Sequence, residues 1–395
     1  MPSSRHLRLG ATALVAVLVP LVVACRPTGD PEATRTVAAV APEAYLPSEE
    51  QALPPSPAAP PSPVAPPAPV PAPALSPATS AAPARPATAP AGYPFGQDSV
   101  WSTEVRSAPV SADSAATVAY LAASVHDRYG GVAAFNEGRF SNSYYVADAG
   151  IPRVDVAFND CQDKGYVPDG LTGPGGQFSG VPVPADAVAA PGTDKMISIF
   201  SPDSDQLWEF WEMEHQADGR WSACWGGRID MVSQSPGYFS GGFGATATGL
   251  SATGGMVSLR DVRTGRIQHA LSLVVPNAAT YRRVSWPAQR SDGWDTNPAA
   301  VPEGTRLRLD PSVDIDALGL TPVAAMIARA AQTYGFIVAD KGGAVAVVAE
   351  HGADERALTG HDPWDDLLGG APSYLVMKGF PWERLQALPQ DYGKP

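Results

Sequence analysis

The sequence predicts a mainly β domain, an antiparallel β-sandwich or jelly-roll-like fold with a few packed helices, standing behind a disordered proline-rich linker. Three observations predict it. Short runs rich in β-branched and aromatic residues recur between glycine-, proline- and aspartate-containing turns. Only two stretches carry both a start and a stop signal for a helix. Residues 26–91 of the 395, by contrast, hold too few large apolar side chains to bury a core.

In chain order, residues 1–25 read as an export signal. Arg5 and Arg8 precede an apolar run from Leu9 to Ala24, too short for a comfortable membrane span and closed by small residues. Its end, Val22-Val23-Ala24-Cys25, resembles the bacterial lipobox, which makes Cys25 the lipidated N-terminus of the mature protein. Residues 26–91, dominated by Pro, Ala and Ser, form a disordered stalk biased to polyproline II. At about 3.1 Å per residue the stalk reaches on the order of 100 Å. The expected location is the outer face of the bacterial plasma membrane, extending into the cell wall, with the lipid as the membrane contact.

Residues 92–395 are expected to form one β-rich extracellular domain, acting as a monomer. A formal net charge of -13 excludes nucleic acid as a partner, because no basic stripe is present to neutralise phosphates. With Cys25 set aside, Cys161 and Cys224 remain, and in an exported chain such a pair is most simply a disulfide. No third ligand stands near either, so no metal is expected there. Asp160 and Asp163 lack the alternating ligands of a calcium loop, and a solvated loop pinned by Cys161 is the reading adopted.

The first helix is expected over about Ala112 to Tyr129, capped by Ser111 and stopped by Gly130-Gly131. His126 near its end complements the helix dipole and carries no further role. Short strands are expected at Ser143–Ala147, Arg153–Phe158 and Lys195–Ser201. Gln206 to Ile229 reads as a tryptophan-rich hairpin turning at Asp218-Gly219. A second hairpin is expected from Met256–Val262 and Ile267–Val275, and a third from Phe336–Asp340 and Ala344–Glu350. Between these, Thr321 as cap and Pro322 at the first position predict a helix from Pro322 to Tyr334. The last forty or so residues read as a wrapping tail.

Candidate chemistry gathers on the central hairpin. Strand periodicity places Glu209 and Trp211 on one face and Trp208, Glu212 and Glu214 on the other. Glu209 and Glu212 therefore cannot work as a pair without a bulge, whereas Glu212 and Glu214 share a face at a spacing compatible with a retaining glycosidase. The alternative is that they solvate a strand end. Trp208 and Trp211 point opposite ways, so one of them needs a cover or a ligand; exposed, Trp208, Trp211 and Trp225 suit stacking on sugar rings.

His269 lies on an apolar strand face, the place of a hydrogen-bonded core histidine or of a general base lining a cleft. The loop Trp286–Asp295 adds Arg290, Asp292, Trp294 and Asp295, which fit a binder of hydroxyls or carboxylates, or equally a loop closed by its own ion pair. No phosphate loop, nucleophile elbow or zinc-protease motif is present, and no cofactor is expected.

The succession WSACWGGRI, SPGYF, GATATGL, IQHALSL, SWPAQRSDGW, PEGTRLRLD and IARAAQTYGFIV resembles an uncharacterised family of secreted or lipid-anchored proteins of high-GC Gram-positive bacteria. The likeness runs from Tyr93 to Leu388. It implies an envelope location and one coherent domain, and no activity. The expected function is binding, and cleavage, of an extracellular or cell-wall polysaccharide, as a glycoside hydrolase or lyase. Glu209 or Glu212 with Asp292 would serve hydrolysis, and His269 with Arg290 an elimination. The alternative is a non-catalytic surface protein recognising wall glycan or a protein partner through the same aromatics.

Overall fold

The computed structural model describes residues 92–395; the export signal, Cys25 and the stalk lie outside the described residues. In chain order the strands are β1 (Ala134–Asn136), β2 (Ser143–Val146), β3 (Ala157–Phe158), β4 (Ile197–Ser201), β5 (Gln206–Trp211), β6 (Glu214–His215), β7 (Trp221–Ala223), β8 (Trp225–Asp230), β9 (Leu271–Val275), β10 (Arg306–Leu309), β11 (Phe336–Lys341), β12 (Ala346–Val348) and β13 (Leu385–Ala387). The α-helices are α1 (Ser114–His126), α2 (Leu259–Thr264), α3 (Pro322–Thr333), α4 (Ala353–Thr359) and α5 (Pro363–Leu367). Short strands with a few helices are thus what the chain builds.

The strands form three mixed sheets, ordered β1-β12-β9-β11-β10-β13, β2-β4-β5-β8 and β3-β7-β6. The pairs β1–β12, β9–β11, β2–β4 and β3–β7 are parallel, so the sheets are mixed where the sequence led to expect a mainly antiparallel sandwich. Alternating polarity reports which faces are buried and carries no information on strand direction. Parallel partners also need long crossovers, and β2 reaches β4 only after the glycine- and proline-rich stretch between them.

The longest sheet supplies the main core. Leu271, Leu273, Leu307, Phe336 and Val338 meet Val323, Ile327 and Ala331 of α3 and Val118, Leu121 and Val125 of α1 in one apolar cluster. On its other face, Ile337 and Ala339 join Phe200, Leu207 and Ile229 of the four-stranded sheet in a second cluster. Helices, long sheet and short sheet thus form successive layers. Trp101 is buried in the middle of the second cluster. A Cβ at Gly254 would come within 2.2 Å of its indole nitrogen, and one at Gly255 would collide with Ser272, which is why the run after Leu250 is glycine-rich.

α3 begins and ends within a residue of expectation, with the Thr321 hydroxyl accepting from Ala324 N at 3.1 Å. α1 is shorter at both ends than expected, and Asp113 rather than Ser111 stands at its N-cap, without a side-chain cap bond. His126 pairs with Glu383 at 2.5 Å. The central hairpin forms, yet it changes sheet midway. β5 pairs with β8 and β6 with β7, and the switch falls at Glu212, whose φ of 50° breaks the strand.

The other two hairpins do not form. Leu259–Thr264 is α2, started by a reciprocal capping box between Ser258 and Asp261 and closed by Gly265 in the left-handed region. A Ser-x-x-Asp signature therefore outweighs the strand-like residues around it. β11 and β12 do not pair, because β9 lies between them, parallel to one and antiparallel to the other. The C-terminal tail wraps as expected and adds β13 to the long sheet beside β10.

Candidate functional site

The hairpin residues expected to carry chemistry are mostly occupied with structure. Glu209 is fully buried, and its carboxylate accepts from Ser251 Oγ at 2.6 Å, Ala252 N at 2.8 Å and Thr253 N at 2.9 Å. Burial pushes its carboxyl up, against the pull of those donors. It holds the glycine-rich loop to the sheet and has no path to a substrate. Trp208 is 1% exposed, under the Arg153 guanidinium at 5.4 Å from the ring centre. Trp225 is half-buried, stacked on Phe243 with Lys164 above it. Trp211, its cross-strand partner, is half-buried beside Asp194. The aromatic platform is therefore largely covered by its own chain. Glu214 pairs with Lys195, and Glu212 at the kink lies beside the Cys161 and Cys224 sulfurs, its carboxyl raised by partial burial against the Lys195 charge.

Cys161 and Cys224 form the expected disulfide, Cα to Cα 5.5 Å. Asp160 turns both oxygens inward, to Lys164 N at 2.8 Å and Gly165 N at 2.7 Å. That loop is closed by its own backbone.

On the Trp286–Asp295 loop, Arg290 does not face solvent for a ligand. Its guanidinium donates to the carbonyls of Gly242, Phe243, Gly244 and Thr246, gathering the glycine-rich loop around one cation. Asp295 accepts from Tyr120 Oη at 2.7 Å and Asn297 N at 2.8 Å. Neither of the two closes an ion pair within the loop. Trp294 is 59% exposed. Asp292, on the same loop, pairs with Lys341 at 3.1 Å and meets two carboxylates from elsewhere, Glu303 and Asp340. One oxygen of each lies within 4.8 Å of the others. Burial, then the Asp340 and Asp292 charges, push the Glu303 carboxyl up to about 8. Burial and the Asp292 charge take Asp340 to about 7.

His269 is 3% exposed and packed flat on Tyr93 at 4.8 Å. Both its nitrogens face oxygens, Nδ1 the Ala270 carbonyl at 2.9 Å and Nε2 Asp261 Oδ2 at 3.2 Å. Asp261 Oδ2 also accepts from Ser258 N and Ser258 Oγ. This is the hydrogen-bonded core reading of His269, and it places the ring behind a cleft rather than in it. The cleft holds about 250 Å³ and is lined by Tyr93, Tyr144, Arg260, Asp261, Arg263 and Glu350 among others. Glu350 keeps some surface as a residue, yet its carboxylate is enclosed and accepts from Leu259 N at 2.9 Å. Burial, only partly offset by that donor, pushes it up to about 7. Burial also disfavours the Asp261 charge, but the His269 ring and the Ser258 donors more than offset it and hold Asp261 below the usual carboxylate value.

Of the expected catalytic set, Glu209 and His269 are buried, and none of Glu209, Glu212, His269 and Asp292 lines the Tyr93 cleft. Glu303, Asp340, Asp261 and Glu350 escaped sequence reasoning. The Ser258 to Asp261 spacing was the available signal for α2 and hence for Asp261; Glu350 ends a strand-like run without distinction. No protein-family model, curated protein or solved structure matches this chain.

Proposed function

We propose that this chain is a cell-envelope lipoprotein, exported and held on the outer face of the bacterial plasma membrane through Cys25, whose folded part binds an extracellular or cell-wall polysaccharide in the Tyr93 cleft and hydrolyses it. The export reading rests on the basic, apolar, small-residue order of residues 1–25 and on the stalk behind it. The observation that carries hydrolysis is that Glu350 and Asp261 both line one cleft; burial raising the first carboxyl and the His269 and Ser258 partners holding the second low agree with it. Two such groups are the equipment of acid and base. Glu350, protonated near neutrality, donates its proton to the glycosidic oxygen as that bond breaks. Asp261, ionised, supports the oxocarbenium-like centre or takes a proton from the attacking water. Tyr93 and Tyr144 offer aromatic edges to a sugar ring, and Arg260 and Arg263 offer donors to hydroxyl or carboxylate groups.

Non-catalytic recognition of a wall glycan or a protein partner is favoured by a different observation. Both carboxylates already serve the first turn of α2, Asp261 through its capping box and Glu350 through Leu259 N. A reducing-end screen on wall and capsule glycans separates the two readings. Hydrolysis predicts turnover by the wild type and a loss of about 10²–10⁴-fold in Glu350→Gln with binding retained. Binding with no turnover on any glycan leaves recognition alone, and loss of both sinks the assignment of the cleft.

A further inference from the structure

We propose that Asp292, Glu303 and Asp340 form a binding site for one divalent cation of the hard, oxygen-seeking class, with calcium the best fit. The three side chains come from separate elements. Asp292 stands on the Trp286–Asp295 loop, Glu303 in the turn before β10, and Asp340 near the end of β11. Their carboxylates converge so that one oxygen of each lies within 4.8 Å of the other two. A triangle with edges no longer than that has a centre within about 2.8 Å of every corner, which admits the 2.3–2.6 Å that calcium takes to oxygen, and a set of several protein carboxylates suits calcium better than magnesium, which keeps most of its waters.

A second observation points the same way. Glu303 is 0% exposed, and its Oε1 is buried without a hydrogen-bond partner. Its other oxygen accepts from Asp292 N at 3.1 Å. Asp340 is positioned by Ala247 N at 3.2 Å and Lys341 N at 2.9 Å. Backbone donors thus aim two of the three ligands, while a buried oxygen that costs free energy when unpaired is left for something else to satisfy. All-oxygen, anionic donors with no sulfur or imidazole select calcium-class ions over zinc or copper. Asp292, with a side chain 48% exposed, leaves an entry path and room for water to complete the coordination.

The Lys341 ammonium, 3.1 Å from Asp292 Oδ2, competes with the ion for that ligand. This yields a variant that gains rather than loses. The full-length chain, stripped with chelator, is titrated calorimetrically with calcium, magnesium and manganese chlorides. One calcium is expected to bind, more tightly than magnesium. Asp292→Asn should weaken calcium on the order of tenfold or more, and Lys341→Met should tighten it, because ligand charge sets the affinity. Glu303→Gln should abolish binding. Should that buried variant not fold, Asp292→Asn and Lys341→Met alter exposed or half-buried positions and decide the matter alone. Three results overturn the site. One is no saturable calcium binding up to millimolar concentration, which leaves a proton shared among the carboxylates. Another is calcium binding indifferent to Asp292→Asn. The third is binding removed by Asp160→Asn instead.

Discussion

Glu209 and Arg290 do the same job from opposite charges. Each gathers several groups of the 242–253 segment, Glu209 through the Ser251 hydroxyl and the Ala252 and Thr253 amides and Arg290 through four carbonyls. Glu209→Ala removes the acceptor and leaves those buried donors unpaired, at about 1–3 kcal/mol for each group that water cannot reach. Glu209→Gln keeps one oxygen and should lose less. Urea unfolding monitored by tryptophan fluorescence should rank wild type above Gln above Ala, and an Ala variant as stable as wild type would show that the loop is held by other contacts. Period-two reasoning put Glu209 and Glu212 on different faces from sequence alone. It had no means of telling that both faces of β5 are covered, because the cover over Glu209 arrives some forty residues later in the chain.

At the scale of elements, what was legible was local. The Thr321-Pro322 start of α3, the Asp218-Gly219 turn and the pairing of the two remaining cysteines each rest on a few neighbouring residues or on elimination. α2 was missed because its six residues are too few for apolar periodicity to declare a helix, so its capping box was the lone signal. The third expected hairpin does not form because β9 inserts between β11 and β12, a non-local event. The disulfide ties the hairpin at the point where it changes sheet, with Cys224 between β7 and β8. It closes a segment of sequence separation 63, which in the chain-entropy account stabilises by about 4 kcal/mol. The Cys161→Ser/Cys224→Ser double variant should therefore show a much lower urea midpoint and a steeper transition, because the unlinked unfolded chain exposes more surface. A midpoint within error of wild type would mean that the β5–β8 ladder fixes the hairpin without help.

At the scale of the molecule, the layers bring carboxylates from distant segments into enclosed positions, and this sets the direction of its pH dependence. Burial pushes Glu303 up to about 8, Asp340 to about 7 and Glu350 to about 7, from ordinary values of 4.5, 3.8 and 4.5. A raised folded-state value means that the folded chain binds the proton more tightly than the unfolded chain. That contribution is fully present below about pH 4 and is lost as pH rises through 7 to 8. For Glu350 alone the difference of about 2.5 units corresponds to about 3 kcal/mol at most. Asp310 works the other way. Its bonds to Arg384 and Ser312 hold it at about 2, so its contribution is present above 3.8 and lost only as pH falls through 2. Between pH 5 and 8 the three raised carboxyls outnumber His351, whose value burial lowers and which works the other way, and stability should decline across that window. Calorimetric Tm values in chelator-containing buffer, so that no cation shares the carboxylates, should fall steadily from pH 5 to 8, and Glu350→Gln should flatten the decline because an amide has no proton to lose. A Tm that is constant or rising over that range would mean that water reaches these carboxylates and that the layers do not enclose them.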